Sequence, residues 1–354
     1  MKNSIDQKLT RRALLAGSAV SGVALAAPGA LLSTSPAFAQ VTERGDTGEN
    51  LLSGKQYRIQ SGNTAATVTE VGATLREFIV QGKAYLDTFG ANEISPNSNG
   101  QVLIPFPNRI DHGAYTFEGT AEQLPWSEPG NENAIHGLTR WLNWEATQQG
   151  GDSIQLSLIL HGQAGYPFVL SVHETYRVSP NKLTVTTTAT NTGSSDLPYG
   201  VGYHPYVTVG TPLINTDTLY LPAKTYFLTN SRLIPQPPAV TVAGTPYDFR
   251  TPHTLGTTFM DTGFTDLIFD ADGFFRVKLS APGGKPEITV FADKHHQYLQ
   301  IYTGDTLSNP AQRRTSLAIE PYSCAADAFN NGLGLVTLKP GQSLTTTWGI
   351  EVSV

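Results

Sequence analysis

Hydrophobic and polar residues alternate with a period of two along most of the chain beyond about residue 50. The alternation is clearest in SIQLSLIL (153–160), KLTVTTTAT (182–190), EITVFAD (287–293) and LTTTWGIEVSV (344–354). This is the period of β-strands with one buried face, and turn sequences such as NTGSSD, APGGKP and KPGQS separate the runs. The pattern predicts an all-β fold of many short antiparallel strands, a sandwich or a barrel.

The composition agrees with many turns and few helices. Of the 354 residues, 34 are Gly and 23 are Pro, and only 15% are charged, which is too few for many solvent-facing helices. No helical spacing of apolar residues extends over a useful length after the first forty residues, and no repeat or charged linker divides the chain. We therefore predict a single domain over residues 40–354.

The first 39 residues are predicted to be an export signal. The twin arginine Arg11–Arg12 is followed by the small, apolar run ALLAGSAVSGVALAAPGALL and by an A-x-A pattern, which places cleavage after Ala39. The run is rich in Gly and Ala and lacks a stop-transfer flank, so it does not favour a membrane anchor. The pattern predicts a bacterial protein exported by the twin-arginine pathway to the periplasm or the medium; a plain secretory signal or an uncleaved anchor is the alternative.

Charge and cysteine content exclude several classes of partner. The formal net charge is −6, and removal of residues 1–39 takes away four basic residues and one acidic residue, which makes it −9. An acidic chain without a basic run does not suit nucleic acid or an anionic membrane surface. Cys324 is the single cysteine, so no disulfide framework is expected.

The stretch SLAIEPY (316–322) predicts a strand that ends in a carboxylate. Leu317 and Ile319 share one face, and Glu320 closes the strand on the other face, among small residues, before Pro321. A carboxylate flanked by such small side chains is typical of a cleft floor. An exposed glutamate at a strand end is the alternative.

Short motifs of the common catalytic classes do not occur. The sequence contains no G-x-S-x-G, P-loop or dinucleotide-binding glycine pattern, and no H-x-H, H-E-x-x-H or C-x-x-C. We therefore expect neither a metal site nor an organic cofactor.

Two histidines and an arginine lie in segments that suit a ligand pocket. His136 lies in NAIHGLTRWLNW, Arg109 in the turn-like FPNRIDHGAY, and His204 in YGVGYHPYVTVG, where Pro205 interrupts strand pairing. A packed or surface role is the alternative for each. Together with Glu320 and the neighbouring Tyr and Trp residues, they favour a carbohydrate ligand, because aromatic faces stack on sugar rings while polar side chains bind hydroxyls.

Five stretches resemble, in the same order, the aldose 1-epimerase (mutarotase) family: PNRIDHGAYTFEG, NAIHGLTRWLNW, VGYHPYV, MDTGFTDL and IEPYSCAADAFN. Weaker similarity extends from about residue 50 to the C-terminus. The resemblance implies a galactose mutarotase-like β-sandwich (supersandwich) with the site on a concave sheet. It implies a cofactor-independent isomerase that interconverts the α- and β-anomers of a free aldohexose, such as glucose or galactose.

The resemblance also implies a role for individual residues. Glu320 matches the catalytic base and His204 the general acid. The residues matched to substrate binding are Arg109, His136, Asp261, Asn108 and Tyr206. Asp266 is the alternative to Asp261, since either aspartate of MDTGFTDL fits the pattern, and CAADAFN departs from the proline-rich form that the family usually has after the glutamate.

Anomer exchange needs a base at the C1 hydroxyl and an acid at the ring oxygen. Glu320 is expected to be ionised, and a nearby carboxylate is expected to raise the pKa of His204 above its ordinary value of about 6.5. We expect the two side chains to face each other across an opening large enough for one hexose. The rival hypotheses are a non-catalytic sugar-binding protein, a carbohydrate-cleaving enzyme on a related fold and a hexose-6-phosphate epimerase.

Overall fold

A computed structural model describes residues 51–354 of the chain. The predicted export signal, residues 1–39, lies outside the described residues. Within residues 51–354, no helix is long and apolar enough to cross a membrane.

Short β-strands account for most of the regular structure in this part of the chain. In chain order the strands are β1 Gln56–Ser61, β2 Thr64–Thr69, β3 Leu75–Val80, β4 Lys83–Ala84, β5 Val102–Leu103, β6 Arg109–Ile110, β7 Ala114–Phe117, β8 Thr120–Gln123, β9 Ala134–Ile135, β10 Glu145–Gln149, β11 Ser153–Leu160, β12 Leu170–Ser179, β13 Lys182–Asn191, β14 Leu197–Tyr199, β15 Gly202–Tyr203, β16 Tyr206–Val207, β17 Thr218–Tyr220, β18 Ala223–Tyr226, β19 Val240–Thr241, β20 His253–Thr254, β21 Asp261–Leu267, β22 Phe274–Ser280, β23 Glu287–Asp293, β24 Tyr298–Tyr302, β25 Leu317–Tyr322, β26 Val336–Leu338 and β27 Ser343–Ser353. The helical segments are the one-turn α-helix α1 Ala328–Asn331 and the 3₁₀ helices Pro96–Ser98, Asp111–Gly113, Pro129–Asn131, Ile214–Thr216 and Pro310–Gln312.

Two large antiparallel sheets dominate the fold. One has the strand order β10-β11-β12-β13-β27-β23-β22-β17-β20, and the other has the order β19-β18-β21-β24-β25-β15-β5, with β16 also paired to β25. The remaining sheets of residues 51–354 are a four-stranded sheet, β1-β2-β3-β4, and three two-stranded pairs. The predicted all-β fold is confirmed.

The core lies between these sheets because each long strand turns its apolar residues inward. Along β13, for example, every second residue is buried, which is the pattern of a sheet with one solvated face. Buried residues of both large sheets, among them Val185, Ile350, Phe264 and Ile301, belong to one hydrophobic cluster. Burial of this apolar surface is the main stabilising contribution to the sandwich.

The second large sheet contains a local interruption that positions the candidate site. β15 and β16 pair with the same edge of β25, but His204 and Pro205 separate them. Pro205 has no amide hydrogen and holds the chain out of regular pairing, as the sequence predicts. The interruption therefore brings His204 beside the middle of β25.

β25 continues through Pro321 to Tyr322, so the predicted end of this strand at Glu320 is wrong. The amides of Ile319 and Ser323 donate to the carbonyls of Pro205 and Val201, at 3.2 and 2.8 Å. Pro321 lies between these two amides, on the edge where the neighbouring strand is broken. Its missing amide hydrogen therefore removes no hydrogen bond from the ladder, and Tyr322 joins the same face as Glu320.

Candidate active site

Glu320 lies near the centre of the second large sheet, on the face opposite the core. Leu317 and Ile319 of the same strand are fully buried in the core, so the alternation of β25 turns Glu320 the other way. The residue is only 1% exposed. Burial of a carboxyl is costly unless it finds partners, and those of Glu320 are Tyr322 on the same strand and His204 in the interruption beside it.

His204 is in direct contact with this carboxyl. Its Nε2 atom lies 3.4 Å from Oε2 of Glu320, and His204 is 6% exposed. The sequence predicts that the two groups face each other across an opening of hexose size, and this geometry is wrong. The interruption at Pro205 places His204 alongside Glu320, so both groups must act on a ligand from the same side.

Burial sets the protonation of this pair. Removal from water lowers the pKa of His204 to about 3, and Arg140 and Arg109 lower it further because they are cations, although a backbone hydrogen bond opposes them. Burial raises the pKa of Glu320 well above its ordinary value, against the hydrogen bond from Tyr322. The expected rise in the pKa of His204 is wrong, because desolvation of the imidazolium outweighs the nearby carboxylate.

Tyr322 fixes one oxygen of Glu320. Its hydroxyl donates to Oε2, the same atom that contacts His204. The other oxygen, Oε1, accepts no hydrogen bond from the described residues. A ligand hydroxyl can therefore approach Glu320 at Oε1 without displacing either neighbour.

Arg109 is held in a rigid orientation at the same site. Its Nε and Nη2 donate to the two carboxylate oxygens of Glu128 at 2.8 and 2.7 Å, a bidentate pair. Burial disfavours the guanidinium charge, but Glu128 outweighs this and raises the pKa of Arg109. Asn108, in the left-handed region with φ of 53°, accepts from the backbone amide of Arg109 at 3.0 Å. Nη1 donates to Oδ1 of Asn108 at 3.4 Å and does not take part in the pair with Glu128.

His136 and Tyr206 both pack against the His204 ring. The ring of His136 meets it edge-on at 5.2 Å, and the ring of Tyr206 stacks on it at 5.0 Å. Burial, with the nearby His204, Arg140 and Arg109, lowers the pKa of His136 well below 6.5, so His136 is neutral at physiological pH. These contacts fix the plane of the His204 ring.

Local backbone geometry explains the position of His136. Its φ is 62°, and the following Gly137 has φ of 68°. A Cβ on Gly137 would lie 2.2 Å from the carbonyl oxygen of Ile104, so only glycine allows the loop to pack this closely.

Of the two candidate aspartates, the structure places Asp261 in the site. Asp261 begins β21, and its Oδ1 accepts from Nε2 of Gln300 at 2.6 Å. Burial raises its pKa, against the opposing effects of Arg109 and Gln300. Asp266 is exposed and accepts a hydrogen bond from Thr225 instead.

A cleft of about 420 Å³ opens beside these residues. Asn108, Arg109, Asp261, Gln300 and Tyr322 line one part of it. Glu320 does not line the cleft but is connected to it through the hydrogen bond from Tyr322 and through Gln300, its partner in the sheet. Within residues 51–354, no group of three or more His, Cys, Asp or Glu side chains is arranged to hold a metal ion.

Sequence reasoning missed three members of this site, namely Tyr322, Gln300 and Glu128. Tyr322 could have been found from the period of two, since it lies two residues beyond Glu320. Gln300 lies directly opposite Glu320 in the sheet, a relation that only the strand register shows. Glu128 carries no signal at all, because it reaches Arg109 from a separate loop.

A family model described as Aldose 1-epimerase matches residues 55–351 of the chain. The chain belongs to the aldose 1-epimerase family. Protein YihR of Escherichia coli K12 is 30% identical over 291 residues, which cover 82% of this chain and 91% of that protein. Human galactose mutarotase is 26% identical over 334 residues, covering 83% of this chain and 93% of the human protein.

Solved structures share the fold of this aldose 1-epimerase family member. The GalM/aldose epimerase homologue from C. elegans superimposes with a TM-score of 0.76 at 18% identity, covering 84% of this chain and 98% of that one. Galactose 1-epimerase from Lactobacillus acidophilus gives a TM-score of 0.71 at 19% identity, covering 83% and 92%. The galactose mutarotase-like sandwich predicted from the sequence is thereby confirmed.

Proposed function

We propose that this protein is an aldose 1-epimerase that interconverts the α- and β-anomers of a free aldohexose. The observation that carries the proposal is the contact between His204 and Glu320, 3.4 Å apart. Tyr322, which donates to Glu320, lines a cleft together with Arg109 and Asp261. Family membership supports an isomerase. The pair supplies both a proton acceptor and a proton donor on one side of a bound sugar.

Ring opening uses these two groups together. Glu320, through Oε1, takes the proton of the C1 hydroxyl, and the O–H electrons form the C1 carbonyl. The bond between C1 and the ring oxygen breaks, and His204 gives its Nε2 proton to that oxygen. Rotation about C1–C2 presents the other face of the aldehyde, and the same two transfers in reverse close the ring.

The proton count of the pair is the same before and after opening. A neutral pair, with Glu320 protonated and His204 neutral, holds one proton, as does the ion pair of ionised Glu320 and protonated His204. Burial favours the neutral pair, which is the form that ring opening produces. The buried site therefore favours the protonation state that accompanies the open-chain sugar, and no proton must come from solvent.

This proton count predicts a broad pH plateau. At low pH the pair gains a second proton at His204, whose pKa is about 3. At high pH the pair loses its only proton, which Glu320 carries, and the raised pKa of Glu320 moves this loss to a higher pH. Activity is expected only between these limits, because either change removes the acceptor or the donor.

Arg109, His136 and Asp261 are proposed to hold the remaining hydroxyls while the aldehyde end turns. The bidentate pairing with Glu128 fixes the guanidinium, and Gln300 fixes the carboxyl of Asp261. Asn108 and Tyr206 support the same surface through their contacts with Arg109 and His204. Side chains fixed in advance lose little freedom on binding.

Polarimetry of freshly dissolved α-D-glucose and α-D-galactose tests the proposal. Catalytic amounts of protein are expected to bring the optical rotation to its equilibrium value much faster than buffer alone. Decay at the spontaneous rate for both sugars, with correctly folded protein, would refute the activity.

We also propose that the protein acts after export, on the basis of Arg11–Arg12 and the A-x-A pattern before Gln40. N-terminal sequencing of protein from the periplasm or medium is expected to begin at Gln40. Retention of the full chain in the cytoplasm would contradict it.

A further inference from the structure

Arg140 is a buried arginine whose charge has no ionic partner in the described part of the chain. It is 8% exposed, and Arg109 is 9% exposed. Arg109 pairs with Glu128, whereas Arg140 forms no ion pair within residues 51–354. Burial without such a partner is costly for a guanidinium, and it lowers the pKa of Arg140. The contacts of Arg140 indicate what this cost supports.

The guanidinium of Arg140 is held in one place although it has no carboxylate partner. Its Nη1 donates to Oγ of Ser98 at 3.1 Å. Its Cζ atom lies 5.1 Å from the centroid of the Trp141 ring, which is a cation–π contact. The carbonyl oxygen of Arg140 accepts from Nε2 of Gln101 at 3.4 Å. Arg140 therefore joins the loop after β9, which also carries His136, to the chain that runs from Ser98 to Gln101.

The segment from Ser98 to Gln101, here called the bracing segment, holds the backbone of His204. The amide of His204 donates to the carbonyl of Gln101 at 3.2 Å, and the amide of Gly100 donates to the carbonyl of His204 at 2.8 Å. Ser98 has φ of 61°, a conformation that costs energy for a serine and that surrounding structure must enforce. The hydrogen bond from Arg140 holds this residue. Because His204 lies where regular strand pairing is interrupted, the bracing segment positions its ring.

The charge of Arg140 also acts on the His204 ring. The titratable or charged groups around this ring are Glu320 on β25, Tyr206 on β16, His136 on the loop after β9, and the guanidinium groups of Arg109 and Arg140. Burial is the main cause of the low pKa of His204, and Arg140 lowers it more than Arg109 does. This order agrees with their pairing, since the carboxylate of Glu128 opposes the field of Arg109. Arg140 therefore disfavours the imidazolium form of His204.

We propose that Arg140 is a positioning residue of the reaction, which fixes the bracing segment and places an unpaired positive charge beside His204. The bracing segment keeps Nε2 of His204 within reach of both Glu320 and the ring oxygen of the sugar. The charge keeps the pair from taking up a second proton in acid, which would remove the proton acceptor. This inference rests on the proposed function and deepens it, since Arg140 acts on the substrate only through His204.

Two readouts separate the two effects of Arg140. Loss of its charge alone favours the ion pair of Glu320 and His204, the form that opens the ring, so a fall in kcat reports lost positioning. The acid limb of the pH profile reports the charge, because a weaker positive field raises the pKa of His204 and the second proton is taken up at a higher pH. Polarimetry with α-D-glucose and α-D-galactose measures both, and circular dichroism checks that the protein is folded at each pH.

Arg140→Met removes both the charge and the hydrogen bond to Ser98 and keeps most of the side-chain length. We expect kcat to fall about tenfold to a hundredfold, with KM within about twofold, because a misplaced acid slows the chemical step more than binding. The acid limb is expected to move up by about one pH unit. An unchanged kcat would overturn the positioning role, and an unmoved acid limb would overturn the role of the charge.

Two further variants separate the charge from the hydrogen bond, and they test the proposal even where Arg140→Met fails to fold. Arg140→Lys keeps the charge, so we expect the acid limb to stay in place and kcat to recover to within about fivefold of wild type. Ser98→Ala keeps the arginine but removes its acceptor, so kcat should fall about threefold to tenfold without movement of the acid limb. An acid limb that moves in either variant would contradict the proposal, as would a wild-type kcat in Ser98→Ala.

Failure of the proposed reaction is distinguishable from failure of this inference. If the wild type exchanges no sugar, hydrogen exchange of the His204 backbone amide still reports how firmly the bracing segment holds it. Arg140→Met is expected to speed up this exchange about tenfold, while the amide of Ile301, in the core strand β24, is the internal control. Equal exchange of the His204 amide in variant and wild type would overturn the positioning role without reference to any sugar.

Discussion

Two buried glutamates of this protein differ in what surrounds them. Glu320 and Glu174 are 1% and 0% exposed, each accepts a hydrogen bond from a hydroxyl, and burial raises the pKa of both, that of Glu174 to about 8. Glu174, on β12, receives its hydrogen bond from Thr187 inside the sandwich core. Glu320 contacts an imidazole, and the tyrosine that donates to it lines a cleft. A perturbed pKa therefore does not identify a catalytic carboxyl; access to the cleft and a proton partner do.

The largest expected effect separates the two glutamates by activity. Glu320→Gln removes the acceptor and is expected to lower anomer exchange about a thousandfold or more, and His204→Asn is expected to do the same for the donor. Glu174→Gln is the matched control and should stay within twofold of wild type. Polarimetry measures all three. Near wild-type exchange in Glu320→Gln would exclude that residue as the base.

The raised pKa of Glu174 should also make the stability of the protein depend on pH. The folded pKa of Glu174, about 8, lies above its unfolded value, so the folded state binds more protons between about pH 4.5 and 8 and stability falls as pH rises through that range. In Glu174→Gln this loss disappears. The difference in unfolding free energy between variant and wild type is expected to change by about 4 kcal/mol from pH 5 to pH 9. Urea unfolding at both pH values measures it, and an unchanged difference would show that Glu174 does not titrate.

Tyr322→Phe tests whether the hydrogen bond from the Tyr322 hydroxyl to Glu320 contributes to catalysis. The hydrogen bond from Tyr322 lowers the pKa of Glu320, so its loss should raise that pKa. The higher pKa disfavours the ion pair of ionised Glu320 and protonated His204, which is the form that opens the sugar ring. We expect kcat/KM on the plateau to fall about tenfold and the alkaline limb to move up by about one pH unit. Tyr298→Phe, in the same cleft, is the control. A slower enzyme with an unmoved alkaline limb would indicate a packing role only.

The smallest effect is expected at Glu128, which orients Arg109 without touching the reacting atoms. Glu128→Gln weakens the bidentate pair, so KM should rise about fivefold while kcat changes less than twofold. Asp305→Asn is the control, because it removes an ion pair to Arg314 at another place in the fold. A fall in kcat with unchanged KM would contradict a positioning role in substrate binding.

Local patterns determined much of this molecule. The period of two predicts the all-β fold because alternate side chains of a strand point to opposite faces, and that holds wherever the strand pairs. The proline after His204 predicts an interruption for an equally local reason, its missing amide hydrogen. The ordered motifs indicated the family, and with it two groups of residues: Asn108, Arg109 and Asp261 at the cleft, and the set of Glu320, His204, His136 and Tyr206, which contact one another.

Tertiary structure decided the rest. The sequence shows neither that β25 runs on through Pro321 nor that Glu128 reaches Arg109 from a separate loop, because both depend on which chain segments become neighbours. The sequence also misleads on the protonation of His204 and on its placement across an opening from Glu320. Desolvation and contact distance depend on the whole packed sandwich, so no short stretch of residues encodes them.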